Sequence, residues 1–87
     1  ANALMILDIS LTHKKRAFEE ALKITRQGDS ILYHTGSYAG GKHKTAALEA
    51  AKKGLVALVQ KKKGEGIFQY LAQRSKKRFK NSKGITQ

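Results

Sequence analysis

Two short runs rich in strand-forming apolar residues, "LVALVQKK" at 55–62 and "IFQYLAQR" at 67–74, flank the short segment "KGEG". The helical period ends at Gly54, and two such runs on either side of a turn that holds two glycines predict an antiparallel β-hairpin. The rest of the chain has to be fitted around that hairpin. With Gly64 and Glu65 at the turn, Val59 faces Tyr70, Leu58 faces Leu71 and Lys61 faces Phe68. One face then carries Ala57, Val59, Phe68, Tyr70 and Ala72, and the other carries Val56, Leu58, Ile67 and Leu71 diluted by Gln60, Gln69 and Gln73. The first is taken as the core face. Were it exposed instead, Phe68 and Tyr70 would offer a platform on which bases stack.

Upstream, the period is helical. Residues 12–26 place Ala17, Phe18, Ala21, Leu22 and Thr25 on one stripe, with Ser10 or Thr12 as the cap and Gly28 as the stop. The first turn of this helix is basic (His13, Lys14, Lys15, Arg16), which opposes the helix dipole. A strand over 29–36 follows, with Ile31, Tyr33 and Thr35 on one side and Leu32 and His34 on the other. A second helix is expected over 42–53, burying Ala47, Leu48, Ala51 and Leu55 and ending at a left-handed Gly54. Residues 1–11 form an apolar arm or strand, residues 12–74 the domain proper, and residues 75–87 a basic flexible tail. The expected fold class is a small α+β domain, helix-strand-helix followed by a two-stranded hairpin.

Between the first strand and the second helix, residues 36–42 spell G-x-x-x-x-G-K, the outline of a loop that cradles nucleotide phosphates. In such a loop a Ser or Thr after the Lys binds Mg²⁺, but here His43 stands there, and imidazole is a poor ligand for a hard cation. Thr45 comes two residues too late. A chain of 87 residues is also too short for the repeated strand-helix crossovers of a nucleotide-hydrolysing sheet. With no catalytic constellation legible, the chain is read as a non-enzymatic binder. It has no Cys for disulfides or thiolate metal sites, and its His residues are scattered, so no cofactor or metal is expected. The apolar run "ALMIL" at 3–7 is too short for a membrane span, which makes a cytoplasmic protein the default, and a start at Ala1 suits removal of an initiator Met.

Charge indicates the partner. The formal net charge is +12, and it is lopsided: residues 1–41 hold five basic and four acidic side chains, residues 42–87 thirteen basic and two acidic. A field of this strength gathers polyanions and makes association salt-sensitive. Lys42, His43 and Lys44 at a helix start, with Lys52 and Lys53 at its end, are candidate phosphate contacts. So are Lys61, Lys62 and Lys63 near the hairpin turn and Arg74, Lys76, Lys77, Arg78 and Lys80 beyond it. The lysines at the turn would equally protect a strand edge, and the tail would equally serve as a solvated charge run. Phe68, Tyr70 and Phe79 are the candidates for base stacking.

The segment "AALEAAKKGLVALVQKKKGEGIFQYLAQR" resembles the second half of winged-helix DNA-binding domains, in which a helix runs through Gly-Leu-Val into a two-stranded wing. The resemblance covers 46–74 and implies a helix offered to the major groove and a Lys-rich tip on the backbone. Such domains place two helices between the first strand and the wing, where only one is legible here. A second likeness links "GGKHKTAALEAAKKGL" to the final helix of double-stranded RNA-binding domains, whose Lys-rich start touches phosphates. DNA is therefore the expected partner, with an RNA-binding module or a small factor that docks on an acidic protein surface as alternatives. Self-association into a homodimer stays open.

Overall fold

The structure, a computed structural model, describes residues 4–76. Six elements follow in chain order: β1 (Ile6–Asp8), α1 (Ala17–Ile24), β2 (Ser30–Gly36), α2 (Lys44–Lys52), β3 (Val56–Gly64) and β4 (Ile67–Arg74). The strands form one mixed sheet in the order β1-β2-β4-β3. β1 pairs with β2 in parallel, while β4 runs antiparallel to both of its neighbours. The domain is a small α+β fold in which the N-terminal arm is an edge strand, and parallel pairing of β1 with β2 makes α1 the crossover between them. Among the described residues no helix is long and apolar enough to cross a membrane.

Both helices pack on one face of the sheet. α1 contributes Ala17, Phe18, Ala21 and Leu22 to the core and α2 contributes Ala47 and Ala50. The sheet contributes Ile31, Tyr33, Val56, Tyr70 and Ala72. Phe18 is 1% exposed and meets Tyr33 edge to face with centroids 6.3 Å apart; burying a side chain of this size contributes about 2–3 kcal/mol. A helix as short as α1 is marginal in isolation, so this packing is what holds it. The expected stripe of α1 is buried as a whole, Thr25 included. The helix itself is shorter than the 12–26 expected. It begins at Ala17, leaving residues 13–16 outside it, and the physical reason is their charge: cations in a first turn meet the positive end of the dipole. Neither Ser10 nor Thr12 caps it. Ser10 instead donates its N–H and hydroxyl to the Asp8 carboxylate, which lies below its ordinary pKa chiefly through those two bonds.

Three further expectations are corrected. α2 starts at Lys44 and buries Ala47 and Ala50, while Leu48 is 41% exposed, so the helix leans on the sheet by its small residues alone. In β2 the register against β4 slips between Leu32 and His34, and this bulge turns His34 toward Tyr70 (centroids 5.7 Å) instead of leaving it on the side of Leu32. In the hairpin the turn is Glu65-Gly66, with Gly66 at φ +68°, and a second irregularity falls between Lys62 and Gly64. The pairing is therefore one residue away from that expected: Val59 faces Leu71, Leu58 faces Ala72 and Lys62 faces Phe68. A slip by one exchanges the faces of a strand. Phe68, Tyr70 and Ala72 do face the helices, but their partners on β3 are Lys62, Gln60 and Leu58, and Ala57 lies exposed.

The hairpin is not a free-standing wing. β4 lies between β2 and β3, bonded to both, so the Lys-rich strand is the far edge of a continuous sheet.

Candidate nucleic-acid interface

The direction of the strands decides where the basic residues go. β1 and β2 run the same way and each leads into a helix, so both helices start at the same end of the sheet. β3 is antiparallel to β4, which is antiparallel to β2, so β3 also finishes at that end. Residues 13–16 before α1, residues 42–44 at the start of α2, and Lys61, Lys62 and Lys63 at the end of β3 are thereby gathered from separate parts of the sequence. Gly36, Phe68 and Lys62 lie on one rung across β2, β4 and β3, which ties the loop before α2 to the lysine run.

Between the two helix starts lies a cleft of about 340 Å³, lined by Lys15, Arg16, Phe18, Glu19, Lys42, His43 and Ala46. Arg16 pairs with Glu19, and Lys14 with Glu20 at 3.2 Å, so part of the charge before α1 is offset by the first turn of the helix. Lys15, Lys42, Lys44, Lys61, Lys62 and Lys63 make no ion pair among the described residues. Lys15, Lys42, Lys61, Lys62 and Lys63 are exposed and Lys44 is half-buried. Alternation along β3 sends Lys61 and Lys62 to opposite faces of the sheet. The field of Lys63 extends to Asp8 and adds a small share to the lowering of its pKa.

The glycines of the loop have a different task from the one their spacing suggested. They surround the imidazole of His34. A Cβ added at Gly41 would come within 2.6 Å of its Nδ1, and one at Gly36 within 3.0 Å of its Nε2. Gly41 also sits at φ +90°, where only glycine is unstrained. The ring they enclose rests on Tyr70, which in turn lies 6.4 Å from Phe68. The G-x-x-x-x-G-K pattern thus folds around a side chain of the protein itself.

Several sequence candidates lie elsewhere. His43 is 4% exposed and its Nε2 donates to the Thr12 carbonyl at 3.0 Å, so this nitrogen is spent on joining the two helix starts and is not offered to a phosphate. Arg74 is 6% exposed, because the carbonyls at the end of α1 need donors: its Nη1 reaches Leu22 O, Thr25 O at 3.0 Å and Thr25 Oγ1 at 3.1 Å. It is a helix cap from across the fold. Lys52 and Lys53 finish α2 and Lys76 follows β4, all at the opposite end, and Lys52 pairs with Glu49 at 3.6 Å. Tyr70 is buried and Phe68 half-buried, so neither offers an open ring face. Lys77, Arg78, Lys80 and Phe79 lie outside the described residues.

Sequence reasoning left out Lys15, Arg16 and Tyr38 as site residues. The basic lead into α1 was visible as a dipole conflict, and the conflict was itself the signal. Tyr38 is 73% exposed in the glycine loop, and nothing in its neighbours distinguishes it from a core aromatic.

No family model, no curated protein and no solved structure matches this chain, so the functional reading stands on the site alone.

Proposed function

We propose that the chain is a non-enzymatic nucleic-acid-binding module that takes backbone phosphates at the end of the sheet where α1 and α2 start and β3 finishes. The observation that carries this is the meeting of Lys15, Lys42, Lys44, Lys61, Lys62 and Lys63, from three separate segments, with no ion pair to any of them among the described residues. Unpaired cations gathered at one end of the sheet repel each other, and a polyanion relieves that while releasing its own counterions. The starts of both helices add partial positive charge around the cleft. DNA was the preferred partner through the likeness to winged-helix domains; of that likeness the reading keeps the turn through Gly54-Leu55-Val56 into a basic hairpin. The phosphate chemistry that supports the proposal is common to DNA and RNA.

The test is the salt dependence of affinity for a short duplex DNA and for a single strand. Contacts from these lysines give a slope of log affinity against log salt of about −4 to −5. Replacing Lys61, Lys62 and Lys63 together by Gln is expected to flatten the slope by about 2 to 3 while leaving the thermal midpoint unchanged. A flat salt response in the wild-type chain overturns the proposal, and an acidic protein surface becomes the partner to pursue.

A further inference from the structure

We propose that the ligand is an unpaired polynucleotide, one of whose bases stacks on the ring of Tyr38. This rests on the nucleic-acid reading above and names the form of nucleic acid it takes. Phe18, Tyr33 and Tyr70 are buried and Phe68 is half-buried, so among the described residues Tyr38 is the aromatic ring left open to solvent. It stands in the loop between β2 and α2, at the end of the sheet where the unpaired lysines gather, and Lys42 and Lys44 come four and six residues later in the chain.

The loop that carries this ring is anchored. Gly36 and Gly41 close around His34, whose imidazole rests on the core residue Tyr70. Gly40 brings the backbone beside the Tyr38 ring, where an added Cβ would meet Cε1 at 3.3 Å, and the same Cβ would lie 3.9 Å from His34 Nε2. A run of rings, Phe68, Tyr70 and His34, thus leads from the sheet to the underside of the loop, with Tyr38 on its outer side. Tyrosine loses little conformational freedom on binding, having two side-chain torsions.

The choice between strands and duplexes follows from what a ring can contact. In a duplex the base faces are occupied by their neighbours, and an exposed tyrosine can offer only its hydroxyl to a phosphate. In an unpaired strand every base has a free face, and stacking on an aromatic side chain is tolerant of sequence. Lysines around such a ring track the backbone, which is the general arrangement for binding single strands. The combination of an open ring with unpaired cations at the same end of the sheet fits an unpaired strand better than a duplex.

The experiment titrates the intact chain, at one salt concentration, with labelled single-stranded RNA and DNA of low self-structure and with a duplex of matching length. The variants are Tyr38→Ala, Tyr38→Phe and Tyr38→Trp. The wild type is expected to prefer the single strands. Tyr38→Ala is expected to weaken single-strand binding roughly tenfold with no effect on the duplex, and Tyr38→Phe to retain it. The chain has no Trp, so Tyr38→Trp introduces a lone fluorophore at the site, whose emission should be quenched by a single strand and not by the duplex. Preference for the duplex, wild-type affinity in Tyr38→Ala, or unquenched tryptophan overturns the stacking role. Steep salt dependence with Tyr38 silent refutes the stacking role alone; absence of binding to every probe at low salt refutes the nucleic-acid reading with it.

Discussion

At the end of the sheet where β2 begins and β4 finishes, Asp29 accepts the N–H groups of Met5 (2.9 Å) and Arg26 (2.8 Å), and Arg74 donates to the last carbonyls of α1. The main chain closes the same region: Gly28 N–H donates to Arg74 O, and Arg74 N–H to Asp29 O. At the other end Lys15, Lys42, Lys44 and the lysines of β3 make no ion pair among the described residues, and the cleft between the helix starts is open. Charged residues thus occur at both ends with opposite employment. Where helix ends and strand starts leave backbone groups without partners, a charge is taken inside to satisfy them. Where the strands run out toward two helix starts, the backbone has no need of cations, and they stay on the surface.

The strongest test of that contrast is Arg74→Met. It strips donors from the buried end of α1 and is expected to cost about 3 kcal/mol, lowering the thermal midpoint by more than about 10 °C. Affinity per folded molecule should not change. A variant that keeps its midpoint and loses salt-dependent binding would move Arg74 to the interface and erase the contrast.

Gly41→Ala probes a structural need within the binding end. The added Cβ would meet His34 Nδ1 at 2.6 Å, and the backbone is at φ +90°, so a loss of about 1–3 kcal/mol is expected. Adding His34→Ala should recover the steric part and leave the backbone part, which a double-mutant cycle in chemical denaturation separates. Additive losses would show that the glycine does not make room for the imidazole.

The smallest effect concerns acid. Hydrogen bonds from Met5 and Arg26 hold the Asp29 carboxyl below its ordinary value. A depressed folded-state pKa means that ionised Asp29 stabilises the fold above the unfolded value, about 3.9, and that this is lost as pH falls through the folded value. Asp29→Asn should therefore melt below the wild type at pH 6, with the gap closing as the pH drops beneath that window. A gap constant with pH would detach the carboxylate charge from the stability of this end.

The hairpin, the stripe of α1 and the left-handed Gly54 could be read from residue order, because each is a local pattern of period or turn chemistry. The hairpin register could not. Along Gln60, Lys61, Lys62, Lys63 and Gly64 there is no apolar residue to fix a face, so a one-residue irregularity before the turn leaves no trace in the alternation. Arg74 looked like a phosphate contact because it adjoins a basic tail; its acceptors at Leu22 and Thr25 are 52 and 49 residues away. The gathering of lysines was equally hidden, since it depends on β1 and β2 being parallel, which no short stretch encodes. The charge imbalance along the chain indicated a polyanion, yet it drew attention to residues after 41 and away from Lys15 and Arg16.

The bond from His43 to the Thr12 carbonyl has a mechanical consequence for the proposed interface. It fastens the lead into α1 to the start of α2, and thereby sets the gap between the cations on the two segments before any ligand arrives. Phosphates along a strand come at intervals that depend on how far the strand is stretched. A gap dictated by the protein acts as a caliper, admitting the extension that spans it and making other extensions pay in strain. Selectivity of this kind reads the pitch of a backbone, with no base identified at all.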